Sequence, residues 1–458
     1  MKKIIFKKEV FTFSLVFSLF LGASVSAQDK VWTLEECISY ALENNIQIQQ
    51  SELNQQISKQ DLVASRYNIL PSANASASHT YNFGQTIDPF TNQFANSQVR
   101  SNSLSVSSSL TLFNGFRNVN TIKRNQAQLK AAEYDLQKMK NDISLNIANS
   151  YLGILFNEEL LKNAESQLRV TQGQIDRIDK QVKAGVLAEG ALKDIEAQFA
   201  NEELQVINAQ NQLKLSKLNL EQMLRLESAE EFEIVSPSMD NFQSVSELVS
   251  PGVLYLTALQ TMPEIKSAEY GVYSAEKSVQ ISRSGYLPSL SMTGSLGSGF
   301  SQNNKEFIDN ELKVKPFTNQ LDDNFNKSVS FRLSIPIFNG LSARTNVRRA
   351  KLQAQSAQLA YDNAQLVLRQ NIESAHNDAV AGLKRYRAAE KSVSALTTSF
   401  NYTQERFNVG IINSFDFNNE KNRLNNAQSE LLQAKYNYIF STKVLDFYQG
   451  KAISFTKK

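Results

Sequence analysis

The 458-residue chain contains one cysteine, two histidines and one tryptophan. The lone thiol, Cys37, has no partner for an internal disulfide, and it does not sit where a cleaved leader would leave a lipid-bearing cysteine. Glycine and proline are scarce, at 17 and 8 residues, so there are too few breakers for many short elements and long helices are expected. Excess charge is absent as well. Four of the 48 basic and one of the 45 acidic residues fall in the first 27 positions, which leaves 44 against 44 in the rest and removes the main support for a nucleic-acid role. Beyond residue 27 no apolar run approaches the ~20 residues that a membrane-spanning helix needs. If the chain enters a membrane, it does so with strands.

The first 27 residues stand apart. Lys2, Lys3, Lys7 and Lys8 precede an apolar run from Phe11 to Leu21, followed by Val25 and Ala27 at the spacing of a signal-peptidase site. This predicts a cleaved secretory signal over residues 1–27, the run being short for a membrane anchor.

What fills the remainder is a tandem repeat. Ala64 to Ser72 matches Ile281 to Ser289 at an offset of 217, with Leu70-Pro71-Ser72 on Leu287-Pro288-Ser289. Further on the offset is 225: Phe113-Asn114-Gly115 falls on Phe338-Asn339-Gly340, and Gly185 on Gly410. The repeats are therefore 28–225 and 253–450, with a 226–252 linker of no evident role and a short tail at 451–458. Each predicts helix, strand, loop, strand, long helix, turn, long helix.

Leu34 to Asn68 reads as one helix, opened by Thr33 and Glu36 at capping-box spacing. After Phe-Asn-Gly, Ile122, Leu129, Leu136 and Ile143 recur every seven residues, as do Leu161, Leu168, Ile175 and Val182 further along. Such a repeat winds helices on one another as a coiled coil. At ~1.5 Å per residue, Phe116 to Val182 would be about 100 Å long, more than a globular core can cover.

The strands alternate. Leu104, Val106, Leu110 and Leu112 oppose Ser103, Ser105, Ser107, Ser109 and Thr111. In the second repeat Val329, Phe331, Leu333, Ile335 and Ile337 oppose Ser328, Ser330, Arg332, Ser334 and Pro336. Each strand thus has an apolar and a polar wall, and ~10 tilted residues cross a bilayer. Weaker versions begin at Ser72 and Ser289, giving β-hairpins at about 72–113 and 289–338. Four strands cannot enclose a lumen, and an open edge in lipid leaves backbone groups unpaired, so several chains must share one barrel. Phe113 with Gly115, and Phe338 with Gly340, then mark where strand passes into helix, the glycines permitting the bend. A strand end or bulge is expected at Pro336, which cannot donate to the ladder.

The signal peptide, the paired Leu-Pro-Ser and Phe-Asn-Gly motifs, and the stretch from Arg406 to Ser441 together resemble the TolC family of outer-membrane efflux proteins over residues 33 to 450. The resemblance implies a mainly α fold with membrane β: a homotrimer whose four strands per chain close a 12-strand outer-membrane barrel, continuous with a long periplasmic α-helical barrel. It implies an exit duct held in outer-membrane lipid. Partners would be a periplasmic adaptor, or membrane fusion, protein and an inner-membrane transporter of RND or ABC type. No cofactor is implied. Val182, Gly185, Val186 and Leu187, with Val409, Gly410, Ile411 and Ile412, become hairpin tips that dock the adaptor or simply close each hairpin on itself. Asp416 and Asn419 match the family's periplasmic constriction, Asn419 replacing a carboxylate; an Asp in the first turn of a helix also serves as a dipole partner. Phe407, Ile412 and Ala191 depart from the family's other gate residues.

An enzyme finds little support. Glu373 and His376 have the Glu-x-x-His spacing of carboxylate-bridged metal sites, but the repeat puts Ala148 and Tyr151 where the second copy would be. The remaining alternative is a periplasmic adaptor or coiled-coil scaffold.

Overall fold

The computed structural model describes residues 31–95, 98–226, 232–236, 249–309, 311–451 and 453; the expected signal peptide and most of the inter-repeat segment lie outside them. Strand β1 (Val31–Trp32) leads into α1 (Leu34–Asn44). The Thr33 hydroxyl accepts from Glu36 N at 3.2 Å, and Thr33 N donates to the Glu36 carboxylate at 3.0 Å, completing the capping box. The single helix expected from Leu34 to Asn68 is broken at Asn45, where α2 (Ile46–Tyr67) begins. The Asn45 amide explains the break: its Oδ1 accepts from Gln47 N at 2.9 Å and its Nδ2 donates to Met223 O at 3.0 Å, so one side chain closes the start of one helix and the end of another.

The rest of the first repeat runs β2 (Ser72–Asn82), the small ribbon β3 (Thr86–Ile87) and β4 (Phe94–Ala95), β5 (Val99–Asn114), α3 (Arg117–Lys183) and α4 (Glu189–Leu224). Within the segment assigned no role from sequence, β6 (Glu233–Ile234) pairs in parallel with β1. The second repeat follows as α5 (Pro251–Thr261), α6 (Pro263–Arg283), β7 (Ser289–Ser301), β8 (Lys305–Ile308), β9 (Glu311–Val314), α7 (Phe317–Asp323), β10 (Asn326–Ser334), α8 (Ser342–Asn408) and α9 (Ser414–Tyr448).

Both α3 and α8 have 67 residues, about 100 Å at ~1.5 Å per residue. The helices after the tips, α4 and α9, are about half as long. Nearer the strands, α2 packs on α3, and α6 lies between α3 and α8, so the upper half of each long helix is also covered. The main core lies at mid-height, where Cys37, Ile147, Ile154, Leu220, Leu224 and Ile439 pack against the β1–β6 ribbon.

Tyr151 anchors that ribbon. Its hydroxyl donates to Val235 O at 2.5 Å and Trp32 O at 3.2 Å, and burial pushes its pKa up. Tyr151→Phe is expected to cost about 1–2 kcal/mol, because the ribbon loses the hydroxyl that bonds it to α3, although Trp32 O keeps the Val235 N–H as a donor. A lower denaturant midpoint at unchanged helix content is the outcome to look for.

Candidate functional site

The four long strands form one antiparallel sheet in the order β10-β7-β5-β2, which joins the two hairpins through β5 and β7. Register places Ser72, Ser76 and Ser78 opposite Ser109, Ser105 and Ser103, and Ser295 opposite Ser328. Hydroxyls bond across the strands, Ser72 to Ser109 at 2.9 Å, Ser76 to Ser105 at 2.7 Å and Ser295 to Ser328 at 2.7 Å. The opposite face carries Leu104, Val106, Leu110, Met292, Val329, Phe331 and Leu333, for the side-chain period of a strand is two. Leu112 departs from the expected alternation. A bulge between Thr111 and Phe113 takes it out of register and brings Phe113 opposite Leu290 on the apolar face. β10 ends at Ser334, two residues before Pro336, which has no N–H for the ladder.

Sheet passes to helix through two consecutive left-handed residues in each repeat: Gly115 and Phe116 at φ 64° and 64°, Gly340 and Leu341 at φ 59° and 62°. Phe113 packs edge-on against Phe116 with ring centroids 5.3 Å apart, whereas Phe338 is exposed. The glycines differ in surroundings. A Cβ on Gly115 would lie 2.8 Å from Leu287 Cβ and 3.0 Å from Ser284 O, while a Cβ on Gly340 meets nothing within 4 Å.

At the far end, Gly185 and Gly410 turn the hairpins at φ 72° and 76°. Each closes a helix with the paired hydrogen bonds of a Schellman motif: Gly185 N to Val182 O and Val186 N to Gln181 O, then Gly410 N to Phe407 O and Ile411 N to Arg406 O. Val186, Val409 and Ile411 are 70%, 69% and 67% exposed. Leu187 is less so, and Val182 and Ile412 are half-buried. Asn413 caps α9, its Oδ1 accepting from Asp416 N at 2.8 Å. Asp416 and Asn419 are both exposed and one helical turn apart, on the side of α9 away from buried Phe417, Lys421 and Leu424.

Other features of this end went unnoticed in the sequence. Phe417 stacks on Phe407 with centroids 4.6 Å apart and packs on Phe400 at 5.4 Å, so the residue that departs from the family pattern at 407 builds an aromatic seam inside the α8–α9 hairpin. The seven-residue step from Phe400 to Phe407 was the available signal. Arg177 donates to the side chain and backbone carbonyl of Asn408, tying the first hairpin to the second. Lys421 and Glu202, each 2% exposed, form an ion pair at 2.8 Å between α9 and α4. The same ammonium donates to Gln167 O at 3.1 Å and to the Thr171 hydroxyl, both on α3. Among the described residues no His, Cys, Asp or Glu cluster could hold a metal ion, and no helix is long and apolar enough to cross a membrane.

A two-walled four-stranded sheet with open edges, continuous with two helices about 100 Å long, defines a membrane channel component that crosses the bilayer by strands and extends far beyond it. The family model described as outer membrane efflux protein matches residues 37–224 and 254–450, and the chain belongs to that family. It is 21% identical to the outer membrane protein TolC of Escherichia coli (strain K12) over 399 residues, 87% of this chain and 78% of that one. To the toxin and drug export protein A of Aggregatibacter actinomycetemcomitans it is 21% identical, over 74% of this chain and 69% of the other. The fold is shared with the CmeC outer membrane channel of Campylobacter jejuni, at a TM-score of 0.77 and 19% identity, with 93% of this chain and 87% of that one covered. The protein is thus an exit duct of the outer membrane rather than an enzyme, with most of its mass on the periplasmic side.

Proposed function

We propose that three copies of the chain close a single duct, which receives substrate from an inner-membrane transporter of RND or ABC type through a periplasmic adaptor. The carrying observation is the sheet: four strands end in free edges at β2 and β10, with hydroxyls on one face and apolar side chains on the other. Edge-to-edge closure with neighbouring copies supplies the missing backbone partners and turns the hydroxyl face inward. The helices support the same assembly. Leu352, Leu359 and Leu366 are exposed on α8 at seven-residue spacing, and Ile46, Leu53 and Ile57 are exposed on α2, as apolar seams awaiting another helix.

The exposed apolar residues around Gly185 and Gly410 suit the groove of an adaptor's helical hairpin. Asp416 and Asn419 line the periplasmic constriction, where three copies of Asp416 set like charges around one axis and draw cations to it. The duct supplies no energy of its own. The adaptor opens it by binding the open form more tightly than the closed one.

Single-channel conductance of the purified protein in planar bilayers tests this reading. The wild type is expected to show a small, cation-selective conductance blocked by millimolar divalent cation, and Asp416→Ala is expected to weaken that block by about tenfold or more. Identical block in wild type and variant would remove the constriction from Asp416. A folded oligomer without any conductance would favour the adaptor or scaffold instead.

A further inference from the structure

We propose that the first surface loop, residues 83–95, folds back into the barrel mouth and, with its counterparts in the other copies, forms an apolar collar that every substrate must pass. The inference rests on the reading of the hydroxyl face as the lumen. It starts from the outer end of that face, where Val99 and Ser301 are fully buried and Ser101 nearly so, although Ser105 and the lower serines of the same wall are accessible. The loop reaches this end of the wall at Ser301 and Gly299. Asp88, also fully buried, accepts from Phe90 N at 2.9 Å and Thr91 N at 3.0 Å, and its other carboxylate oxygen accepts from the Ser301 hydroxyl. The Phe90 ring occupies the space a side chain at Gly299 would need, and Gly299 sits opposite Ser103 on the hydroxyl face.

The second loop lies on the other side of the same strand. Leu321 O of α7 accepts from Ser298 Oγ at 2.5 Å, and Phe317 packs on Phe300, both contacts being on the apolar face. Gln320, fully buried, accepts from Ser301 N at 2.9 Å and donates to Ser301 O at 3.0 Å. The outer end of β7 is therefore gripped from both sides, with the first loop inside. Held there, the loop leaves Phe83, Ile87 and Phe94 at 76%, 54% and 76% exposure. Apolar side chains converging on a water-filled mouth narrow it and disfavour its wetting, so polar and charged solutes meet a second barrier while amphipathic ones are accommodated.

The test uses the full chain in planar bilayers, in an Asp416→Ala background that relieves the other constriction. Ile87→Ser/Phe94→Ser changes only exposed side chains, and Asp88→Ala releases the clasp; a heat-resistant oligomer band confirms assembly of each. Both are expected to raise conductance at least about twofold over the background, as widening or wetting the narrowest remaining point would. Unchanged conductance in the serine variant overturns the collar and leaves the duct intact, since the background channel still conducts. No conductance in any assembled variant, background included, removes the duct reading and the collar with it.

Discussion

Lys421→Ala is expected to destabilise the periplasmic end by about 3–5 kcal/mol, the cost of leaving a buried carboxylate without its counter-ion. Glu202 would keep only Gln198 Nε2 at 2.7 Å and the Thr171 hydroxyl as donors, with almost no solvent access. Burial draws the pKa of Lys421 down, while the hydrogen bond and charge of Glu202 hold it up. Because taking both charges out of water costs about as much as their attraction returns, the paired replacement Lys421→Met/Glu202→Leu is expected to be roughly neutral, or more stable than wild type by ~1 kcal/mol or more. Denaturation of the three proteins, followed by helix content, separates the cases. If the single variant were as stable as the double, the pair would contribute nothing by being intact. The same single variant should loosen the tip, because Lys421 lies little more than one helical turn from Asp416 on α9 and links that helix to α3 and α4.

Gly115→Ala is expected to cost about 3 kcal/mol or more, against about 1–2 kcal/mol for Gly340→Ala. Both glycines have positive φ, so each substitution carries the left-handed backbone penalty. Only at Gly115 does the added Cβ press on another segment, the turn at Ser284 and Leu287 that closes α6 of the second repeat. That turn is also held by Arg117 Nε, which donates to Ser284 Oγ at 3.0 Å, so the backbone has little room to retreat. The readout is the fraction of heat-resistant oligomer after expression. Equal loss in the two variants would show that backbone strain alone decides.

The duplicated plan was legible from the chain itself. Phe-Asn-Gly before a 67-residue helix, and Gly185 and Gly410 at the same distance beyond it, are statements about local conformation and spacing. Heptad leucines and isoleucines announce long packed helices, and serine alternating with leucine announces a two-faced strand, since each periodicity follows from backbone geometry within a few residues. The absence of a second cysteine and the balance of charge beyond residue 27 narrowed the function in the same way.

The tertiary structure decided whatever depends on residues far apart in sequence. Asn45 breaks a helix because the end of α4 arrives beside it, 178 positions later. Lys421 and Glu202, separated by 219 residues, read as ordinary surface charges until three helices bury them together. Gly115 and Gly340 are equivalent in sequence and unequal in space, because only one abuts the opposite repeat. Likewise nothing in the composition of residues 83–95 tells that Asp88 reaches Ser301 and turns the loop inward. Periodicity determines which face of an element is apolar, whereas contacts made across the fold determine what that face meets, and the special features of this duct lie in those contacts.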